Sequence, residues 1–309
     1  MSTPAADHEL PTEPPFSGAT IDRLGDIRHD PARLAALLDS AQVLAVTCGD
    51  GEVLLDPDGQ LARLPWDHAA GDPVLLGVEA RHPIVGVDVT QLDPAVAATL
   101  IDGRRMVSLR EAGAALTPPD AGLAAYLVAL VGWHRTHPFC PKCGAQTHSA
   151  EAGFARRCES CGTVHFPRTD PVMIVSVEWD DRLLLGSRTG WDPSRYSVLA
   201  GFVAPGETPE AAIVREVREE SGIVCRNPVY VTSQPWPFPS SLMLGFHAVA
   251  DGGDPRPGAD GELSDVRWFT RNEVRSMQRG DGPLDLPPPV SIARTLIDRW
   301  ADATPHDRD

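Results

Sequence analysis

The segment spanning residues 201–223 reads GFVAPGETPEAAIVREVREESGI. Thr208 can cap a helix that starts at Pro209, where a missing amide hydrogen costs nothing, and Gly222 can end it in a left-handed turn. At about 100° per residue, Ile213 and Val217 share one apolar face, Glu216 and Glu220 fall beside that face, and Glu219 lies further round. Two carboxylates therefore stand one turn apart at the edge of a core. Like charges at this spacing destabilise a helix by ~0.2–0.5 kcal/mol, a penalty that a cation removes. Oxygen ligands at this density suit Mg²⁺ or Mn²⁺. Arg215 can reach Glu219 across one turn and hold its orientation. A solvated acidic face has the same composition, so the three glutamates alone leave both readings open.

Strand signals surround this helix. VMIVSVEW (172–179) and RLLLGSR (182–188) are buried-strand candidates separated by Asp180-Asp181. Val229–Thr232, LMLGFHAVA (242–250) and VRWF (266–269) follow, with a turn-rich loop, DGGDPRPGADGE, at 251–262 and a final helix, ARTLIDRW, at 293–300. Strands on both sides of an acidic helix predict a mixed sheet sandwiched by helices.

Ahead of this domain, QVLAVTC (42–48) and EVLLD (52–56) flank Gly49-Asp50-Gly51, a hairpin signal. PVLLGV (73–78) and PIVGVDV (83–89) repeat the pattern around Arg81-His82, and DPAVAATLID (93–102) reads as a helix, as does the stretch after Pro119. This is a small α+β domain without a catalytic constellation, and no internal repeat is apparent. Leu123, Leu127, Leu130 and Trp133 recur at helical spacing and lead into a cysteine module. The expected organisation is a disordered tail at 1–17, an N-terminal α+β domain at 18–130, a cysteine module at 131–165, the acidic-helix domain at 166–302 and a tail at 303–309.

The module holds Cys140-Pro-Lys-Cys143-Gly and Cys158-Glu-Ser-Cys161-Gly, with residues 144–157 between the pairs. Each pair puts two thiolates on one turn, and the glycine after it permits positive φ. Cys140, Cys143, Cys158 and Cys161 supply the tetrahedral sulfur set that zinc prefers. No coordination position is left open, so this Zn²⁺, one per chain, is expected to be structural. His165 reads as structural too. A zinc ribbon can also bind nucleic acid, and THSAEAGFARR between the pairs offers two arginines and a phenylalanine.

Bulk properties narrow the classes. The chain has 309 residues and a net charge of −16, which argues against a broad electrostatic grip on nucleic acid. No apolar run approaches the ~20 residues a membrane span needs, and the N-terminus lacks a secretory pattern. The expectation is a cytoplasmic protein with no membrane partner. A reducing compartment also favours metal over disulfides at the cysteines.

The spacing Gly201-x5-Glu207-x7-Arg215-Glu216-Val217-x-Glu219-Glu220-x-Gly222-Ile223 resembles the Nudix box at every defined position. The resemblance implies an α/β/α sandwich that hydrolyses a nucleoside diphosphate linked to another group. It implies that Glu216, Glu219 and Glu220 bind divalent metal, with Arg215 in the catalytic set and the Ala200 carbonyl as a further ligand. The chemistry agrees, because cations neutralise diphosphate oxygens and activate water, and a nearby glutamate can take the proton.

Downstream, Ser233-Gln-Pro-Trp-Pro-Phe-Pro-Ser-Ser241 fixes three φ values with its prolines, so Trp236 and Phe238 have little freedom to lose. Rigid rings suit stacking on a base or nicotinamide; a proline-stiffened edge strand is the plainer alternative. The segment resembles SQPWPFPxS, which marks NADH pyrophosphatases among the Nudix proteins, and the order of ribbon, box and signature matches that subfamily. By resemblance, Gln234, Pro235, Trp236, Pro237, Phe238, Pro239, Ser240 and Ser241 line the substrate pocket. Glu262 looks like an additional metal-binding glutamate, and Phe202 and Ala293 match substrate-contacting positions. Phe166 stands where some relatives carry tyrosine, keeping a ring and losing a hydroxyl. The implied protein is a homodimer that cleaves NADH or NAD⁺ to nicotinamide mononucleotide and AMP and removes an NAD cap from RNA. Another dinucleotide or a nucleotide sugar is the alternative substrate. A non-enzymatic zinc-ribbon protein that binds nucleic acid is the alternative class.

Overall fold

The computed structural model describes residues 14–41, 43–48, 51–66, 73–259 and 261–303. The N-terminal domain opens with helix α1 (Pro31–Ser40) and strands β1 (Val43–Cys48), β2 (Glu52–Leu55), β3 (Leu64–Pro65), β4 (Val74–Glu79) and β5 (His82–Asp88). Helix α2 (Pro94–Ile101), strand β6 (Arg105–Ser108), the short helix α3 (Leu109–Ala112) and the long helix α4 (Pro118–Thr136) complete it. The first expected hairpin is present as an antiparallel pair with Thr47 opposite Val53; Gly49 and Asp50 of its turn lie outside the described residues. The second turns at Ala80 and Arg81, both at positive φ, the mirror-image turn that matches strand twist. Leu123, Leu127, Leu130 and Trp133 are all buried on α4.

Residues 14–17, read from the sequence as part of a disordered tail, pack instead. Phe16 is 2% exposed and belongs to the N-terminal core. Gly113 leaves room for its ring, since a Cβ there would lie 2.3 Å from Phe16 Cε1. Burying a phenylalanine contributes ~1.5–3 kcal/mol, and hydrogen bonds from Gln234 to the Pro15 carbonyl and from Ser17 to the Ser233 carbonyl add to it.

The cysteine module is a three-stranded meander of β7 (Thr147–Ala150), β8 (Ala155–Cys158) and β9 (Val164–His165). The third unit contains β10 (Asp170–Trp179), β11 (Arg182–Arg188), β12 (Leu199–Phe202), α5 (Pro209–Ser221), β13 (Cys225–Trp236), β14 (Ser241–Ala250), β15 (Leu263–Thr270), α6 (Arg271–Arg279) and α7 (Ile292–Asp302). Its sheet runs β13-β14-β10-β11-β15, with β12 also paired to β10. The β10–β14 pair is parallel and the others are antiparallel, so the sheet is mixed.

Alternation along β10 separates two cores. Met173, Val175 and Val177 face α5 through Ala212, Ile213 and Val217. Ile174 faces the other way, toward Ile292, Leu296 and Trp300 of α7 and Val274 of α6. The result is the expected α/β/α sandwich. Helix α6 is an addition to the sequence reading. Its signal is a capping box, in which Thr270 and Glu273 each satisfy the other's backbone amide.

The N-terminal domain corrects the expectation that the chain holds no repeat. Its sheet runs β4-β5-β1-β2-β6 with β3 paired to β1, and β1–β5 is the parallel pair. This is the order and polarity of β13-β14-β10-β11-β15 with β12 on β10. The helices differ: α5 lies between β12 and β13 of the second copy, whereas in the first copy α1 precedes β1 and α2 separates β5 from β6. The described residues therefore contain the same sheet order twice, with the carboxylate helix in the second copy.

Candidate active site

Helix α5 forms as its sequence dictates. Thr208 Oγ1 accepts a hydrogen bond from the Ala211 amide at 3.2 Å, Pro209 opens the helix, and Gly222 closes it at φ 72°. The three box glutamates differ in burial as the helical angle requires. Glu220 is 5% exposed, while the side chains of Glu216 and Glu219 are 18% and 53% exposed. Gly201 on β12 is what lets Glu216 lie against the sheet, since a Cβ there would stand 2.2 Å from Glu216 Cδ.

Arg215 organises this face. Its Nε donates to Glu207 Oε1 at 2.9 Å and its Nη2 to Glu207 Oε2 at 2.8 Å. Its Nη1 lies 2.8 Å from Glu216 Oε1 and donates to Glu219 Oε2 at 3.0 Å. Nη2 also donates to the Phe202 carbonyl at 3.1 Å, tying the helix to the end of β12. The hydrogen bonds from Arg215, with one from the Ala204 amide, hold Glu207 down to about 2. The reach from Arg215 to Glu219 was legible in the sequence; the Glu207 clasp was not, because it closes a loop whose shape the sequence leaves open.

The donor set fits a divalent cation. Hard carboxylate oxygens crowd the edge of the core, and the cradle over Gly201 admits only a backbone without a side chain. Among the described residues, however, the cysteines are the cluster in which three or more ligand atoms lie within 4.8 Å of one another. Arg215 is paired with Glu207, Glu216 and Glu219. Glu262 enters β15 with its carboxylate 3.5 Å from Arg188, and its carbonyl accepts from the Thr189 amide. Ala200 is half-buried on β12, opposite Ile174.

The proline-rich segment forms the tip of the β13–β14 hairpin, on the edge strand where prolines cost no ladder bond. Trp236 and Phe238 meet edge to face at 5.1 Å and pack on Phe16 at 6.0 and 6.4 Å. Arg110 of the N-terminal domain lies 4.1 Å above the Phe238 ring. Pro235, Trp236, Pro237, Ser240, Ser241 and Phe166 line a cavity of about 400 Å³. Phe238 and Pro239 line a neighbouring one. Phe166 and Phe202 are largely exposed, at 64% and 62%.

Two residues stand apart from this surface. Gln234 is fully buried; its Nε2 donates to the Pro15 and Val290 carbonyls, and its Oε1 accepts from the Ile292 amide. It is a tie between the N-terminal segment, the hairpin and α7 rather than a wall of the cavity. Ala293 is 4% exposed within the α7 core.

The hairpin tip and the end of β12 to which Arg215 is tied lie at the same end of the sheet. Val172 of β10 pairs with Phe202 on one side and Met243 on the other. Two strand spacings put those residues on the order of 10 Å apart.

The four cysteine sulfurs lie within 4.8 Å of one another, with Cys140–Cys161 at 3.7 Å and Cys143–Cys158 at 3.5 Å. A tetrahedron with metal–sulfur bonds of about 2.3 Å has edges of about 3.8 Å, so the set is already shaped for structural zinc. Thr163 Oγ1 lies 3.1 Å from Cys161 Sγ, and His165 Nε2 lies 3.3 Å from Cys140 Sγ, where each can donate to a thiolate.

Comparison with known proteins matches three families in succession. Residues 33–133 match the NADH pyrophosphatase-like rudimentary NUDIX domain, 135–166 the NADH pyrophosphatase zinc ribbon domain and 167–286 the NUDIX domain. The first match agrees with the repeated sheet. Curated relatives include the NAD-capped RNA hydrolase NudC of Mycobacterium bovis, 36% identical over 96% of this chain and 97% of that protein. The proteins of that name from Stutzerimonas stutzeri and Deinococcus radiodurans are 37% and 38% identical, over 86% and 81% of this chain and 93% and 84% of their own lengths. No helix among the described residues is long and apolar enough to cross a membrane.

Proposed function

The chain belongs to the Nudix hydrolases that carry an NADH pyrophosphatase zinc ribbon, and from that premise we propose that it hydrolyses the diphosphate bond of NADH and NAD⁺ to nicotinamide mononucleotide and AMP, and removes the same group from NAD-capped RNA. The observation that carries this reading is the carboxylate helix, held by the Arg215–Glu207 clasp at the sheet end where the proline-locked Trp236 and Phe238 also lie.

Glu216, Glu219 and Glu220, with the Ala200 carbonyl and Glu262, would hold Mg²⁺ or Mn²⁺. When bound, such a cation neutralises the diphosphate oxygens and lowers the pKa of water. The residues of the chain do the rest. Arg215 keeps Glu216 and Glu219 oriented, and Glu207 fixes Arg215. Glu220, at the core edge, is positioned to accept the proton of the attacking water through a carboxylate oxygen. Water adds across the P–O–P bridge, so each half leaves as a monophosphate. Phe166, Phe202 and Trp236 offer ring faces to the nicotinamide or adenine. The hairpin residues Pro235–Ser241 shape the pocket, with Gln234 and the buried Ala293 supporting it from within.

The protein works as a homodimer in the cytoplasm, where its thiols stay reduced for zinc. The test is a product assay with NADH, NAD⁺ and NAD-capped RNA side by side, in Mg²⁺ and in Mn²⁺. AMP and the mononucleotide from the free dinucleotides, and 5′-monophosphate RNA from the capped one, are expected. Hydrolysis of a nucleotide sugar in preference to all three would overturn the substrate assignment.

A further inference from the structure

The segment 14–19 threads between the hairpin and the N-terminal domain, and three glycines clear its path. A Cβ at Gly113 would stand 2.3 Å from Phe16 Cε1, one at Gly18 2.8 Å from Pro118 and one at Gly122 2.3 Å from the Ala19 amide nitrogen. Just beyond, Asp22 exchanges both backbone hydrogen bonds with Val78 on β4, each at 3.0 Å. Two further bonds clip the segment to β13. Gln234 Nε2 donates to the Pro15 carbonyl at 2.7 Å, and Ser17 Oγ donates to the Ser233 carbonyl at 3.2 Å. The segment is a strap, tied at one end to the edge strand of the first sheet and at the other to the edge strand of the second.

Phe16 sits between the two β13 clips and holds φ 75°. A bulky residue rarely adopts that conformation, and it persists where the surroundings over-determine it. Here the contacts of the ring do so. Its centre lies 6.0 Å from that of Trp236 and 6.4 Å from that of Phe238. Arg110 of α3 lies 5.2 and 4.1 Å above the same two rings. The prolines fix backbone angles at the hairpin tip, but they leave the side-chain torsions of Trp236 to choose among rotamers. Phe16 and Arg110 remove that choice from the side of the N-terminal domain.

We propose that Phe16 is a positioning residue for the dinucleotide, setting the plane in which Trp236 meets a nicotinamide or adenine ring. The inference rests on the preceding reading and adds a residue outside both the box and the proline-rich segment. Phe16 borders the cavity of about 400 Å³ that Trp236 and Phe166 also line, yet it is only 2% exposed. Its ring therefore acts through Trp236 rather than by presenting a face of its own. Stacking depends on ring orientation, and an orientation set in advance removes an ordering cost from binding. An element that serves the bound substrate and the transition state alike changes KM and leaves kcat.

Gly113 permits a test that leaves Phe16 in place. Its φ of −61° and ψ of −23° suit alanine, and the nearest atoms an added Cβ would meet are Cε1 and Cζ of Phe16, at 2.3 and 2.5 Å. Full-length Phe16→Ala, Phe16→Leu, Gly113→Ala and the Phe16→Ala/Gly113→Ala double variant are compared with the parent. NADH turnover gives KM and kcat, equilibrium binding of NADH with divalent metal withheld gives Kd, and melting temperature reports the fold. Phe16→Ala should raise KM and Kd about fivefold, within the worth of an aromatic pair, with kcat within about twofold of the parent. Phe16→Leu fills the space without a ring plane, so it should recover melting temperature and not KM. Gly113→Ala should raise KM about threefold. That effect should vanish in the Phe16→Ala background, as a shared contact requires.

Lower melting temperatures with unchanged KM and Kd overturn the proposal and leave Phe16 a packing residue. So does a Gly113→Ala effect that persists in the Phe16→Ala background, since it would reach the site by another route. A fall in kcat at unchanged KM contradicts it as well. If Phe16→Ala fails to fold, Phe16→Leu and Gly113→Ala decide the matter, through a KM that rises or stays at the parent's value. Failure of the parent to hydrolyse the NADH that it binds would sink the preceding reading instead, and the Kd series would still decide the role of Phe16.

Discussion

Arg215 clasps Glu207 through two parallel hydrogen bonds, at 2.9 and 2.8 Å, and the same guanidinium touches Glu216 and Glu219. Bidentate charge-assisted pairs fix geometry as well as charge. Glu207 is thus a positioning residue, acting on the box glutamates through Arg215. Glu207→Gln keeps the shape and loses the fork. Turnover should fall ~10-fold or more, within the range seen when an orienting partner of a metal ligand is removed. The concentration of Mg²⁺ or Mn²⁺ for half-maximal rate should rise, and the melting temperature should change little. A metal titration of the variant that overlays the parent's would remove Glu207 from this role.

Trp236 has two duties in this structure. Its ring packs on Phe16 and Phe238, which holds the hairpin against the N-terminal domain, and it lines the cavity beside Phe166. Trp236→Ala should remove stacking of ~1–3 kcal/mol from the dinucleotide, read as a KM for NADH raised about tenfold. It should also lower stability, because an aromatic pair adds ~0.5–1.5 kcal/mol beyond its buried area. A lower melting temperature with unchanged KM would leave Trp236 a packing residue only.

His134 couples pH to stability. Its Nε2–H donates to the Gly153 carbonyl at 2.7 Å, and its Nδ1 accepts from Arg156 at 3.0 Å. Burial first, with the nearby Arg156 charge adding to it, lowers its pKa below the ordinary histidine value, against the Gly153 bond that raises it. The neutral ring is the folded form. Its contribution is fully present above the unfolded value of about 6.5 and is lost as pH falls below that toward the folded pKa. The parent should lose melting temperature from pH 7 to pH 5.5 more steeply than His134→Gln. Identical slopes would show that the ring does not titrate with unfolding.

The cysteine cluster should hold about one tightly bound zinc per chain, measurable by elemental analysis of the purified protein. Its sulfurs are already at near-tetrahedral separations, and the set is closed. Cys143→Ser should lower solubility and melting temperature, while the folded fraction still turns over NADH. Loss of turnover with zinc content and fold intact would contradict a structural role.

The legibility of the sequence followed the range of the interactions. Helix α5 was readable to the residue because Thr208, Pro209 and Gly222 are local signals that agree. Helix α6 carries a local signal of equal quality in the capping box of Thr270 and Glu273. The repeated sheet was hidden because identity of topology resides in strand pairing between distant segments. Its landmark, the carboxylate helix α5, lies between β12 and β13 of the second copy. Gln234 read as a pocket residue with its neighbours, yet its amide is spent on Pro15, Val290 and Ile292 from two distant segments. Nothing near Gln234 in sequence announces those partners.

The most direct test of the account is NADH hydrolysis by the parent and by Glu220→Gln, followed as release of AMP over a range of Mn²⁺ and Mg²⁺ concentrations. Glu220 is buried at the core edge of α5, and the substitution keeps its shape while removing its charge. AMP release by the parent is expected, with a fall of ~10²-fold or more in the variant, the scale lost with a positioned base. The variant should fold normally, since it relieves like-charge crowding with Glu216. Near-normal turnover by Glu220→Gln at low metal would contradict the assignment of this helix as the catalytic centre.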